Sequence, residues 1–254
     1  MRARKRFGQH FLVDQGVLHA IVRLIRPRPE DRLLEIGPGH GALTEHLYGA
    51  CARYVAVEID RDLVPFLRAR FPDLEVVNDD ILRVDLDALL GSPDDGPAWR
   101  LVGNLPYNIS TPLIVRLLGY LEHVEDMHFM LQRELAARLA GSPGTKAWGR
   151  IAVLTQFHCD VQMVLDVPPS SFDPPPKVDS AVVRMVPRRT HPALNDPDAL
   201  DRVLRHAFAQ RRKRLSNALQ SLDPDWTAAG IDPGRRADDL SVDEFVALAN
   251  HTAV

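Results

Sequence analysis

The feature that most constrains this chain is a repeated pairing in its first two thirds: a short apolar run, a polar residue or glycine, then a stretch of helical period. Arg32-Leu33-Leu34-Glu35-Ile36 is the first such run, and Ala42 to Tyr48 predicts the helix after it. Tyr54 to Val57, Leu74 to Val77, Arg100 to Gly103 and Met127 to Leu131 predict four further strands. Asp62 to Phe71, Thr111 to Leu121 and Arg133 to Ala140 predict helices among them. A parallel neighbour can be reached only by a crossover, so this alternation implies an α/β fold with a parallel sheet and helices on both faces. Ile151 to Phe157 predicts another helix. Val161 to Val167 and Ser180 to Val186 predict two last strands, joined by a stiff segment from Pro168-Pro169 to Pro174-Pro175-Pro176.

Arg188 to Pro197 has the composition of a linker, and beyond it only helical patterning remains. Leu200, Val203, Leu204, Ala207 and Phe208 make one apolar stripe; Leu215, Ala218, Leu219 and Leu222 make another. Two domains are expected: residues 1–187, carrying the Rossmann-like sheet, and residues 188–254, small and helical.

The formal charge of −3 over 254 residues argues against a nonspecific nucleic-acid coat, but the charge is unevenly spread. Arg2, Arg4, Lys5 and Arg6 precede the first acid, Asp14. Arg202, Arg205, Arg211, Arg212, Lys213 and Arg214 form a second basic run without an acid. Two basic islands on a mildly acidic protein point to a localised anionic partner. The two cysteines, Cys51 and Cys159, are far apart, which suits a reducing cytoplasm. No segment has the length of a membrane span, and the scattered histidines form no metal-ligand pattern. No coiled-coil or interface stripe appears, so a monomer is expected.

The chemistry collects at strand ends. The first predicted strand runs into Gly37-Pro38-Gly39-His40-Gly41, a turn that lets a ligand approach the backbone closely. Its Gly-x-Gly-x-Gly spacing departs from the dinucleotide pattern Gly-x-Gly-x-x-Gly. The second strand ends at Glu58-Ile59-Asp60, where a carboxylate can accept from both hydroxyls of a ribose. Asp60 and Asp62 read instead as helix-start acids. The third ends at Asn78-Asp79-Asp80, where Asp80 is the candidate acceptor for an adenine amine. The fourth ends in Asn104-Leu105-Pro106-Tyr107. Asn104 and the Leu105 carbonyl supply acceptors, Pro106 fixes the turn, and Tyr107 supplies a flat ring. Ser110 or Thr111 suits the cap of the following helix, which leaves Asn104 free. Two acceptors and a stacking face suit a planar heterocycle bearing an exocyclic amine.

With these motifs in view, the chain resembles the ribosomal RNA adenine N6,N6-dimethyltransferase family, and within it the small-subunit type. The resemblance rests on Arg4 to Leu12, Glu35 to Thr44, Glu58-Ile59-Asp60, Asn104 to Tyr107, Pro143 to Arg150, Phe172 to Val183 and Ala207 to Lys213. It implies S-adenosyl-L-methionine as the methyl donor in a Rossmann-like methyltransferase fold. The family's cofactor positions fall on His10, Leu12, Gly37, Glu58, Asp80 and Asn104, with Gly39 in the same loop; many relatives carry Asn where this chain has His10. It implies catalysis by Asn104, Leu105, Pro106 and Tyr107, with Phe172 either a second stacking ring or ordinary core. Arg4, Lys5, Arg6, Lys146, Arg211, Arg212, Lys213 and Arg214 are the RNA-binding candidates. The implied reaction is dimethylation of two adjacent adenosines in a hairpin loop near the 3′ end of small-subunit rRNA, on an immature small subunit. A large-subunit methyltransferase of the antibiotic-resistance type and a mainly non-catalytic assembly factor are the competing readings.

Overall fold

The fold was obtained as a computed structural model, which describes residues 9–196 and 198–252. Nine strands are assigned among them: β1 (Phe11–Leu12), β2 (Arg32–Ile36), β3 (Arg53–Val57), β4 (Glu75–Val77), β5 (Trp99–Asn104), β6 (Val124–Gln132), β7 (Cys159–Val167), β8 (Phe172–Asp173) and β9 (Ser180–Pro187). Seven form one sheet in the order β4-β3-β2-β5-β6-β9-β7. β4, β3, β2, β5 and β6 run parallel to one another. β9 runs antiparallel to β6, so the sheet is mixed rather than wholly parallel. The segment between β7 and β9 carries Pro168 to Pro176 and no long helix. β1 and β8 form a separate antiparallel pair, Leu12 opposite Phe172.

Every residue of β2 is buried, as expected of a strand covered on both faces. The chain divides into two compact units. One takes the chain through Ala136 and again over Gln162–Pro187; the other takes Ala137–Val161 and the chain from Arg188.

In the first unit, Leu18, Ile21 and Ile25 of the helix Gln15–Ile25 join Leu33, Val102, Met130 and Val182 of the sheet in one apolar cluster. Asp14 caps that helix, accepting from the N–H groups of Gly16 and Val17 at 2.9 and 3.1 Å.

In the second unit, Trp148, Ala152, Val153 and Phe157 pack with Leu200, Val203, Leu204 and Phe245. The Trp148 indole N–H donates to Leu240 O at 2.9 Å. This packing explains the departure from the expected boundary. The stretch around Trp148 carries too much apolar surface to stand alone, and it buries that surface against the carboxy-terminal helices.

Candidate active site

A cavity of about 330 Å³ lies in the first unit, a size typical of small-molecule sites. Its wall takes Gly37 and Gly39 from the turn after β2, Glu58 and Ile59 from the end of β3, and Asn104 to Tyr107 from the end of β5. Open α/β sheets bind ligands at these strand ends. Residues Gln9 to Val13 complete the wall. Gly39 has φ +60°, and a Cβ there would lie 3.0 Å from the Phe11 ring. A larger residue would therefore both strain the turn and push the amino-terminal segment off the cavity. Gly103 is required for a different reason: a Cβ would come within 2.5 Å of the Ile36 carbonyl on the neighbouring strand.

Glu58 is buried, and its two oxygens accept from Gly39 N at 3.0 Å and Asp60 N at 2.8 Å. Burial raises its pKa, and the two backbone donors oppose that rise. The carboxylate is thus fixed in place, with lone pairs left for a ligand hydroxyl. Glu35 also borders the cavity. Burial pushes its pKa up to about 7, although Thr44 and Tyr54 donate hydroxyl hydrogen bonds of 2.6 and 2.7 Å to Oε2. The His40 ring packs 4.3 Å from that of Phe11, and burial lowers its pKa, keeping it neutral.

Asn104 is the last residue of β5. Its Nδ2 donates to the carbonyl of His10 at 2.8 Å, and Oδ1 has no partner among the described residues. Leu105 is held by its N–H, which donates to Met130 O at 3.1 Å. Pro106 turns the chain, its carbonyl accepting from Ile109 N and from Ser110 Oγ. The helix starts at Ser110 after Ile109 and has no side-chain cap, so neither Ser110 nor Thr111 plays the expected part. The Tyr107 hydroxyl is paired with Ser180 Oγ at 2.7 Å, and its ring lies near-parallel to that of His10, centroids 5.9 Å apart.

The structure brings together His10, Leu12, Gly37, Gly39, Glu58 and Asn104 to Tyr107 on one wall. Two expected residues are not among those that border the cavity. Phe172 is 4% exposed and belongs to the apolar cluster of the first unit, because its pairing opposite Leu12 turns it into the core; it does not border the cavity. Asp80 stands outside the cavity wall, where Oδ1 accepts from Leu82 N at 2.9 Å and holds the turn. Arg4, Lys5 and Arg6 lie outside the described residues. In the second unit, Arg211 is tied down: it donates to Asp238 Oδ1 and to the carbonyls of Thr145 and Lys146. Lys146, Arg212, Lys213 and Arg214 are exposed and carry no ion pair among the described residues. Sequence reading missed Arg236, which an antiparallel bridge sets opposite Arg214. It also missed His128 and Met130 on the cavity wall, though alternation along Met127 to Leu131 places them on one face.

The family model described as ribosomal RNA adenine dimethylase matches residues 1–253. The chain belongs to the ribosomal RNA adenine dimethylase family. It is 51% identical to the ribosomal RNA small subunit methyltransferase A of Chromohalobacter salexigens, over 99% of this chain and 92% of that protein. It is also 51% identical to the protein of the same name from Pseudomonas aeruginosa, over 99% of this chain and 95% of that one. Among solved structures, a dimethyladenosine transferase from Plasmodium falciparum superposes with a TM-score of 0.78 at 25% identity, covering 94% of this chain and 96% of that one. The 23S rRNA methyltransferase ErmE superposes with a TM-score of 0.73 at 27% identity, covering 95% and 98%. The fold is that of the S-adenosylmethionine-dependent methyltransferases to which this family belongs. No helix among the described residues is long and apolar enough to cross a membrane.

Proposed function

We propose that the cavity binds S-adenosyl-L-methionine and that the enzyme transfers its methyl groups to the N6 amine of two adjacent adenosines in a hairpin loop of small-subunit rRNA. The observation that carries this reading is the fixed amide of Asn104: with Nδ2 occupied by the His10 carbonyl, Oδ1 is the acceptor presented at the cavity. The donor's residues fit the group. Glu58 is a buried, backbone-held acceptor for ribose hydroxyls, and Gly37 and Gly39 let a ligand lie against the backbone. Leu12 and the backbone of His10 complete the donor's side of the wall.

When bound, the donor supplies an electrophilic methyl on a sulfonium. The protein's part is to prepare the amine. An aromatic amine is a poor nucleophile because its lone pair is delocalised into the ring. Acceptance of its N–H bonds by Asn104 Oδ1 and the Leu105 carbonyl favours a pyramidal nitrogen with a directed lone pair. Tyr107 stacks on the base, worth roughly 1–3 kcal/mol. Rate is gained by positioning and by preorganised dipoles, without a strong base, and the methylated nitrogen then releases its extra proton to water. The base enters unpaired or flipped from its stack.

Arg212, Lys213, Arg214, Lys146 and Arg236 serve RNA phosphates, as do Arg4, Lys5 and Arg6. Arg211 serves as the tie that holds the Lys146 loop. Identity to small-subunit enzymes across almost the whole chain favours that substrate over the large subunit. The protein works on the immature subunit in the cytoplasm, as a monomer. The test is methyl transfer to purified unmethylated small and large subunits in parallel, with the modified nucleotides mapped by mass. Two dimethylated adenosines in small-subunit rRNA are expected; modification confined to the large subunit, or none, would refute the proposal.

A further inference from the structure

His128 lies in the middle of β6 and is 2% exposed, and neither ring nitrogen has a hydrogen-bond partner among the described residues. A buried imidazole with both nitrogens unpaired is costly, because each has given up a hydrogen bond to water. It is also one of the residues that border the cavity. Nδ1 is 3.8 Å from Asp126 Oδ1, too far for a hydrogen bond, and Asp126 is already engaged by Arg100 at 2.9 and 2.8 Å. No hydrogen bond among the described residues therefore uses the ring's polarity.

The sheet register shows what surrounds it. Glu35 pairs with Val102, Val102 with His128, and His128 with Arg184, so these four side chains form one row on one face. The next row toward the strand ends contains Asn104, Met130 and Val182. His128 is thus one row beneath the amide that reads the target. Glu35 is two strands away, roughly 10 Å at the usual strand spacing. The row is electrically polar. Its Glu35 end is acidic, with Glu58 close enough to raise the Glu35 pKa further. At its other end burial opposes protonation of the His128 ring, Asp126 favours it, and Arg100 and Arg184 oppose it.

We propose that His128 is a binding residue for the methyl donor, its ring N–H donating to the carboxylate of the donor's amino-acid end, with the ammonium turned toward Glu35. The inference rests on the reading of the cavity as the S-adenosylmethionine site. A zwitterion needs an accepting and a donating pole on either side of it, and this row supplies both, two strand spacings apart. Glu35 supplies the acceptor for the ammonium: its Oε2 takes the hydrogen bonds from Thr44 and Tyr54, and Oε1 is left for the ligand. Val102 between the poles is apolar and competes with neither.

The experiment compares two ligands by calorimetry: S-adenosylhomocysteine, which keeps the amino-acid end, and 5′-methylthioadenosine, which lacks it. For His128→Leu the expected result is a loss of roughly 10- to 100-fold in affinity for S-adenosylhomocysteine, the worth of one hydrogen bond to a charged group. Affinity for 5′-methylthioadenosine should stay within about two-fold, which also shows that the variant is folded. His128→Gln, which restores an N–H donor, should recover part of the loss. Equal affinity of wild type and both variants for S-adenosylhomocysteine would overturn the assignment, and so would loss of both ligands in parallel in both variants. If the wild-type protein binds neither ligand, it is the reading of the cavity that fails.

Discussion

The side chain of Asn104 and the backbone of His10 are joined by a hydrogen bond of 2.8 Å, from the Asn104 amide N–H to the His10 carbonyl. This bond links residues 94 positions apart and settles two matters together. It fixes which end of the amide is the acceptor, and it fastens the amino-terminal segment across the cavity. His10 thus serves the site through its carbonyl, while its ring is tied by Nδ1 to the Pro174 carbonyl at 2.7 Å. The Asn-to-His difference from many relatives leaves the carbonyl's contribution unchanged, because every residue type carries one.

Asn104→Ala removes both the target acceptor and this fastening. Methyl transfer to unmethylated small subunits should fall by roughly 100- to 1,000-fold, the usual cost of losing one preorganised polar group at a reacting centre. Donor affinity should fall far less, because Glu58 and the glycine turn remain. Single-turnover transfer and donor-binding calorimetry on the same preparation check this. Wild-type turnover in the variant would remove Asn104 from the mechanism.

Tyr107 separates stacking from hydrogen bonding. Tyr107→Phe keeps the ring and loses only the bond to Ser180, so the KM for RNA should change little. Tyr107→Ala removes a stacking face worth roughly 1–3 kcal/mol and should raise that KM by about 5- to 150-fold. Donor affinity should be similar in both. Burial raises the Tyr107 pKa, so the hydroxyl stays protonated and the comparison is free of titration near neutral pH.

The inner strands β2, β3 and β5 were legible in the sequence because buried parallel strands leave continuous apolar runs. The residues that border the cavity at these strand ends were legible for the same reason: Gly37, Glu58 and Asn104 each follow directly on such a run. The direction of β9 was not legible, since an apolar run carries no sign of which way it pairs. The helix Gln15–Ile25 was missed although Leu18, Ile21 and Ile25 keep helical spacing and Asp14 offers a cap. Phe172 illustrates a limit of another kind. Its place in the core is decided by the pairing of β1 with β8, which joins segments about 160 residues apart. Arg236 joins the basic group through a single bridge to Arg214, a contact with no local signature.

Glu35 makes stability depend on pH in a defined direction. Burial holds its folded-state pKa at about 7, whereas an exposed glutamate titrates near 4.5. Between these values the folded protein holds a proton that the unfolded chain has released. Stability is therefore full below the lower value, falls as pH rises through the window, and levels off above the upper one. The full span is on the order of 3 kcal/mol. Glu35→Gln keeps the shape and accepts from Thr44 and Tyr54 without titrating. The wild-type minus variant difference in urea unfolding free energy, followed from about pH 5 to about pH 8, should carry this slope. A flat difference would show that Glu35 is ionised in the folded protein.

The second unit makes a last distinction, between cations proposed to bind RNA and a cation that holds a loop. Arg212, Lys213, Arg214 and Arg236 are exposed without ion pairs among the described residues, and Arg214 and Arg236 are set side by side by a bridge. Like charges facing each other across a strand pair destabilise it unless an anion lies between them. Replacing these four by Ala should leave folding intact and weaken RNA binding. For each lost phosphate contact, the slope of log affinity against log salt should become shallower by about 0.7–0.9. Arg211→Ala should act differently. Its guanidinium holds Asp238 and the carbonyls of Thr145 and Lys146, so its loss should lower thermal stability and speed amide exchange over the Thr145–Lys146 loop. Filter binding across a salt series, paired with hydrogen exchange, tells the two apart. If Arg211→Ala changes the salt slope as much as Arg212→Ala while leaving exchange untouched, Arg211 meets phosphate directly and its role as a tie is wrong.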